Sequence, residues 1–202
     1  RSSERHPKQF IHLIGEGTMI QNTVARLAPL FAYDDIYIVA PQSLAQMIRQ
    51  QLPAIPATNI ILEPFGRNTA PCLALAAYVL SERLSPDTVI TALPSDHVVH
   101  NVRQFQQNIE LTQQAAAELK GFVTLGVKPT RPETGYGYVQ QSDNHKKVGA
   151  FFDQGIRKVY TFAEKPDVAT AQRFCDAGDF LWNTGIFSST LGTFFAAFES
   201  CL

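Results

Sequence analysis

The sequence predicts an α/β fold: a mixed, mostly parallel sheet with helices on both faces. Two observations carry this prediction. Short apolar, β-branched runs bounded by polar, Pro or Gly residues alternate with longer segments of helical character. Such strand–helix–strand alternation implies parallel strands buried on both faces. The composition agrees: 202 residues, 45% hydrophobic and 17% charged, suit one domain or one large α/β unit.

The elements follow in order. Ile36-Tyr37-Ile38-Val39-Ala40 reads as a buried strand, as do Asn59-Ile60-Ile61-Leu62, Thr88-Val89-Ile90-Thr91-Ala92-Leu93 and Phe122-Val123-Thr124-Leu125-Gly126. Helices are expected at about 18–30, 42–52, 69–84 and 102–120, with Thr69 and Asn101 as N-caps. Gly15-Glu16-Gly17 reads as the turn before the first of them. From about 130 the pattern changes. Pro129, Pro132, Gly135 and Gly137 punctuate a loop, and Tyr138–Gln141 and Ile156–Phe162 read as strands joined through a loop at Asn144–Gly149. Val168–Ala177 reads as a helix, Leu181–Ser188 as a strand and Leu191–Leu202 as a last helix. The simplest organisation is a single domain over 1–202.

Bulk properties narrow the function. A net charge of −1 gives no sign of a nucleic-acid partner. A polyanionic ligand stays open, because phosphate sites use local charge and backbone N–H groups. Cys72, Cys175 and Cys201 are dispersed and odd in number, which argues against a disulfide framework or structural zinc and for a reducing cytoplasm. No stretch approaches the roughly 20 apolar residues of a membrane span.

Six segments carry candidate chemistry. Pro64-Phe65-Gly66-Arg67-Asn68-Thr69-Ala70-Pro71 joins a strand ending at Glu63 to an apolar helix, so it presents free N–H groups at the carboxyl edge of the sheet. A capped turn without ligand explains it equally well. Leu93-Pro94-Ser95-Asp96-His97 puts a carboxylate just past an apolar strand, where it suits Mg²⁺; a helix-capping Asp is the plain alternative. Pro132-Glu133-Thr134-Gly135-Tyr136-Gly137-Tyr138 offers close backbone approach to a ligand, or only a glycine turn. In Phe162-Ala163-Glu164-Lys165-Pro166, Lys165 suits a phosphate and Glu164 suits sugar hydroxyls. If both are extended they face opposite sides, and the alternative is a surface charge pair. Leu181-Trp182-Asn183-Thr184-Gly185-Ile186-Phe187 sets an amide and a glycine inside an apolar strand, as a hydroxyl-binding site or as a bulge. Arg5-His6-Pro7-Lys8-Gln9-Phe10 reads as a phosphate contact or as a solvated basic patch.

Taken together and in this order, these segments resemble the mannose-1-phosphate guanylyltransferases of the sugar-phosphate nucleotidyltransferase superfamily. The resemblance spans essentially the whole chain. Its specific parts are Arg67-Asn68-Thr69-Ala70-Pro71 and Glu133-Thr134-Gly135-Tyr136-Gly137-Tyr138; Glu164-Lys165-Pro166 is shared more widely. It implies a Rossmann-like nucleotidyltransferase fold. It also implies transfer of a guanylyl group from GTP to mannose 1-phosphate, giving GDP-mannose and pyrophosphate, with Mg²⁺ as cofactor and a homodimer as one allowed assembly. By resemblance, Asp96 is the metal-binding aspartate and Lys8 contacts nucleotide phosphates. Glu63, Asn68 and Thr69 hold base and ribose. Gly137, Glu164, Lys165, Asn183 and Gly185 form the sugar-phosphate pocket, and Asp96, Lys8 and Lys165 carry the catalysis.

Two expectations concern the ends. A strand with a Gly-Gly-x-Gly-Thr-Arg loop is expected before Arg1, and a second metal-binding aspartate beyond Leu202, so these 202 residues are expected not to run the reaction alone. The rivals are a thymidylyl-, uridylyl- or adenylyltransferase for glucose 1-phosphate, and a non-catalytic subunit that binds nucleotide sugar. An NAD-binding dehydrogenase is disfavoured, because no GxGxxG follows a strand and opens a helix.

Overall fold

A computed structural model describes residues 8–12, 17–65 and 69–201, with the backbone alone at His145 and Cys201. The chain forms two compact units. One comprises the chain up to Thr88, Pro94–Glu110 and the segment from Phe194 onward; the other comprises Val89–Leu93 and Leu111–Thr193.

In the first unit, helix α1 (Met19–Leu27) starts at a capping box. The Thr18 hydroxyl accepts from the Gln21 N–H at 3.5 Å, and Gln21 Oε1 accepts from the Thr18 N–H at 3.0 Å. Met19, Ile20, Val24 and Leu27 recur at helical spacing and are all buried. Strand β1 (Ile38–Pro41) leads through one 3₁₀ turn, Gln42–Leu44, into α2 (Ala45–Gln51), whose Ile48 is fully buried. Strand β2 (Ile60–Glu63) pairs with β1 in parallel, from Ile38 opposite Ile60 to Pro41 opposite Glu63. Asn59 is buried before β2 because its amide donates to Asp34 O at 2.7 Å and Ile36 O at 3.2 Å. Helix α3 (Thr69–Ser81) follows, with Ala77 and Leu80 buried. Thr69 is its first helical residue, not the cap preceding it. Helix α4 (Val102–Leu119) runs through the boundary at Glu110 and is capped by Asn101, whose Oδ1 accepts from the Gln104 N–H at 3.0 Å.

The second unit is organised by its longest strand. Its elements are β3 (Val89–Ala92), β4 (Val123–Val127), β5 (Gly137–Ser142), β6 (Lys158–Glu164), α5 (Val168–Ala177) and β7 (Phe180–Thr190). Strand β7 pairs antiparallel with β3, β4 and β5, and β5 pairs antiparallel with β6. Helix α5 starts at Asp167, which accepts from the Thr170 N–H at 2.7 Å, and ends at left-handed Gly178. It packs Ala171 and Phe174 against Tyr138 and Phe180, with the Phe174 and Phe180 rings stacked 4.0 Å apart. Ser188 is fully buried, and its hydroxyl pairs with Thr91 at 2.8 Å and Thr112 at 2.9 Å. The last helix, α6 (Leu191–Cys201), continues directly from β7.

The α/β class holds, but among the described residues neither sheet is mixed: β1 and β2 form a parallel pair and the other five strands form an antiparallel sheet. The expected predominance of parallel strands does not hold: among the described residues one pairing is parallel and four are antiparallel. Periodicity identifies a buried strand but carries no information on its direction, and β7 gathers three antiparallel partners. The expected loop at Asn144–Gly149 contains a 3₁₀ turn, His145–Lys147, and a second, Gly149–Phe152, begins at its last residue.

Candidate active site

In the first unit, Lys8 is exposed in a 3₁₀ turn, Lys8–Phe10, and Glu63 ends β2. Thr69 is exposed at the start of α3. Asn68, Gly66, Arg67 and Arg5-His6-Pro7 lie outside the described residues. Cys72, one turn into α3, has its thiol pushed up to about 11 by burial and by the neighbouring Glu63 carboxylate. Among the described residues, no hydrogen bond or ion pair joins Lys8, Glu63, Thr69 and Asp96.

Asp96 occupies a turn, Ser95–Asp96, shortly after β3. The residue is exposed, and its carboxylate has no hydrogen bond or ion pair among the described residues. The backbone beside it is tied down instead. Arg26 Nη1 and Nη2 each donate to His97 O at 3.1 Å. Arg26 Nη2 also donates to Thr23 Oγ1. The Thr23 hydroxyl lies 2.9 Å from Met19 O and 3.3 Å from Ser95 O, sharing its one hydrogen between them. Burial pushes the His97 imidazole below its ordinary value; Asp96 pulls it back and Arg26 adds to the depression. No group of three metal-ligating side chains exists among the described residues. The exposed Asp96 carboxylate, without a protein partner among the described residues, is an oxygen donor of the kind hard divalent cations take.

The second unit does bring its candidates together. Gly137 on β5 lies opposite Glu164 on β6. A Cβ at Gly137 would stand 2.8 Å from Glu164 Oε2, 3.0 Å from Phe162 Cζ and 3.6 Å from Asn183 Cβ. The glycine therefore makes room for the Glu164 carboxylate and the Phe162 ring, with Asn183 alongside. Strand β6 ends at Glu164 because Lys165 takes a left-handed conformation, φ 46°, and its N–H donates to Tyr136 O at 3.2 Å. This breaks the alternation that would send Glu164 and Lys165 to opposite faces. Lys165 Nζ instead lies 3.2 Å from Glu164 Oε1, an exposed ion pair worth about 0–1 kcal/mol, so a phosphate can replace it at little cost.

Asn183 and Gly185 form a bulge. Strand β7 matches β4 at Asn183 opposite Gly126 and again at Phe187 opposite Thr124, so Thr184, Gly185 and Ile186 face the single residue Leu125. Thr124 Oγ1 spans the bulge, 2.9 Å from Asn183 Oδ1 and 2.8 Å from Ile186 O. Gly185, at φ 73°, donates its N–H to Asn183 Oδ1 at 3.3 Å, and Thr184 Oγ1 donates to Leu125 O at 2.8 Å. Asn183 Oδ1 is thus committed inside the bulge, and Nδ2 is left as a donor.

The glycine loop is closed by Glu133. Its Oε1 accepts from the Gly135 N–H at 3.1 Å and its Oε2 pairs with Arg131 at 3.0 Å, which together hold its carboxyl below the ordinary value. The Arg131 guanidinium lies 5.5 Å from the Trp182 ring centre, and Tyr136 meets that ring edge-on at 5.3 Å. Sequence reasoning passed over Arg26, Thr23 and Thr124. A signal for Arg26 existed: it is a cation among the buried positions of α1.

Residues 2–197 match the Nucleotidyl transferase family, and the chain belongs to it. It is 43% identical over 188 residues to the xanthan biosynthesis protein XanB of Xanthomonas campestris pv. campestris (strain B100), covering 92% of this chain and 38% of the relative. It is 39% identical over 189 residues to a mannose-1-phosphate guanylyltransferase of Salmonella muenchen, covering 92% and 38%. Among solved structures, a protein described as a mannose-1-phosphate geranyltransferase from Thermus thermophilus superposes with a TM-score of 0.83 at 31% identity, covering 98% of this chain and 55% of that one. The chain thus spans well under half the length of these two sequence relatives. Among the described residues, no helix is long and apolar enough to cross a membrane.

Proposed function

We propose that this chain provides the catalytic face of a cytoplasmic mannose-1-phosphate guanylyltransferase, which makes GDP-mannose and pyrophosphate from GTP and mannose 1-phosphate. The observation that carries this reading is that the Glu164 carboxylate fills the space beside Gly137, with Asn183 next to it on the adjoining strand. Glu164 accepts hydrogen bonds from sugar hydroxyls, and Asn183 Nδ2 donates one. Lys165 exchanges its exposed partner Glu164 for the acceptor phosphate. On the nucleotide side Lys8 neutralises phosphate charge, Glu63, Asn68 and Thr69 hold base and ribose, and Asp96 holds Mg²⁺. When bound, Mg²⁺ neutralises charge on the nucleotide phosphates. An oxygen of the sugar phosphate attacks the α-phosphorus of GTP, the α–β bridging bond breaks, and pyrophosphate leaves. The protein's contribution is positioning and charge neutralisation.

The test is pyrophosphate release by the full-length protein, offered each nucleoside triphosphate with each hexose 1-phosphate. GTP with mannose 1-phosphate is the pair expected to turn over fastest. Preference for dTTP with glucose 1-phosphate would overturn the reading.

A further inference from the structure

We infer that Arg26 is the positioning residue of the Asp96 turn: it grips the carbonyl on one side of Asp96 while Thr23 grips the other, setting the carboxylate for a divalent metal. The inference rests on the metal role given to Asp96 above.

Arg26 stands where a helix of this kind carries an apolar side chain. Only 7% of it is exposed, among Met19, Thr23, Val24 and Leu27 on the covered side of α1. A buried guanidinium is costly unless its donors are satisfied, and a hydrophobic residue of similar volume usually serves stability as well or better. The usual compensation is a carboxylate, yet among the described residues none pairs with Arg26. Its terminal nitrogens go to His97 O, twice, and to the Thr23 hydroxyl. A charge kept inside to hold a carbonyl is serving geometry.

The held segment needs such help. Strand β3 ends at Ala92, and Ser95–Asp96 form a turn with no ladder partner. Thr23 reaches Ser95 O and Arg26 reaches His97 O, so the carbonyls of the residues before and after Asp96 are both held from one helix, by side chains three residues apart. The clamp is itself anchored: the Phe105 ring centre lies 5.6 Å from the guanidinium carbon, and Gln106 Nε2 donates to Arg26 O at 2.8 Å. The carbonyls on either side of Asp96 are held, while its carboxylate is exposed. Supports of this kind around a metal ligand are worth about 10–100-fold in metal affinity or activity.

The experiment compares wild type, Arg26→Met, Arg26→Lys, Thr23→Val and Asp96→Asn in the full-length protein. Mn²⁺ uptake in the presence of GTP is read by electron paramagnetic resonance, beside the half-saturating Mg²⁺ concentration and the KM for mannose 1-phosphate. Arg26→Met is expected to weaken Mn²⁺ uptake about tenfold and to raise the Mg²⁺ requirement alike, with the mannose 1-phosphate KM moving less than about twofold. Arg26→Lys, which keeps a charged donor, is expected to recover part of that loss. Thr23→Val is expected to weaken Mn²⁺ uptake about threefold, and it decides the matter if Arg26→Met does not fold. Weakened uptake in Asp96→Asn with unchanged uptake in folded Arg26→Met and Thr23→Val would overturn the inference and leave the metal role of Asp96 standing. Unchanged uptake in Asp96→Asn would overturn both.

Discussion

The two units hold their candidate residues by different means. In the second, the strands themselves do the holding. Gly137 and Glu164 are register partners, Asn183 sits in a bulge bridged by Thr124, and Lys165 breaks a strand at a left-handed residue. In the first, Glu63 closes a strand, Thr69 opens a helix and Asp96 lies in a turn, so none has ladder neighbours on both sides. There the stiffness comes from side chains reaching backbone, as Thr23 and Arg26 do. Ladder pairing gives a site whose residues converge without ligand. Helix starts give free N–H groups, and the turn at Asp96 gives a carboxylate without a partner among the described residues, which suit phosphate and metal.

This contrast can be broken at several points. The largest effect is expected from Asp96→Ala, which should lower turnover by roughly 10³-fold with an unchanged melting temperature, since the side chain is exposed and supports nothing. Wild-type activity in steady-state assays would remove its metal role. Phe180→Ala removes one side of the stack with Phe174 and should cost about 3–5 kcal/mol in urea unfolding. An unmoved midpoint would contradict the packing of α5 on β7.

Lys165→Ala should raise the apparent KM for mannose 1-phosphate about tenfold and spare that for GTP, by loss of one charge-assisted phosphate contact. An effect confined to GTP would assign Lys165 to the other side of the reaction. Gly137→Ala forces Glu164 aside, the nearest atom being the far end of a flexible chain, so a rise of about threefold in the same KM is expected. Full activity would mean the cradle is not used.

The smallest effect concerns pH. His97 is depressed below 6.5 in the folded chain. The unfolded state therefore takes up its proton first as pH falls. The stability contributed by neutral His97 is fully present above 6.5 and is lost as pH drops through the lower folded value. His97→Gln should flatten the acid side of a stability–pH curve, and an unaltered slope would show that His97 is not protected.

Much of the fold was legible because burial writes itself into periodicity. Val168–Ala177 and the capping Asn101 stand where patterning put them, and strand boundaries moved by a residue or two. Family resemblance grouped Gly137, Glu164, Lys165, Asn183 and Gly185; in the second unit these residues are neighbours, and their use as a sugar-phosphate pocket is the proposal that Lys165 and Gly137 variants test. What was not legible is what two distant segments do to each other. Thr124 reads as one more residue of an apolar run until β4 meets β7. Strand direction escaped for the same reason, since it depends on partners chosen far along the chain.

By itself the sequence determined the α/β class, the places of the helices and strands, and the residue types available for phosphate, sugar and metal. The tertiary structure alone decided that β7 would gather antiparallel partners, that Lys165 would turn back onto Glu164, and that a buried arginine would hold the turn carrying Asp96. The physical reason is range. Side-chain alternation and caps are interactions over a few residues, whereas Arg26 and His97, or Thr124 and Asn183, meet only after the chain has closed loops of dozens of residues.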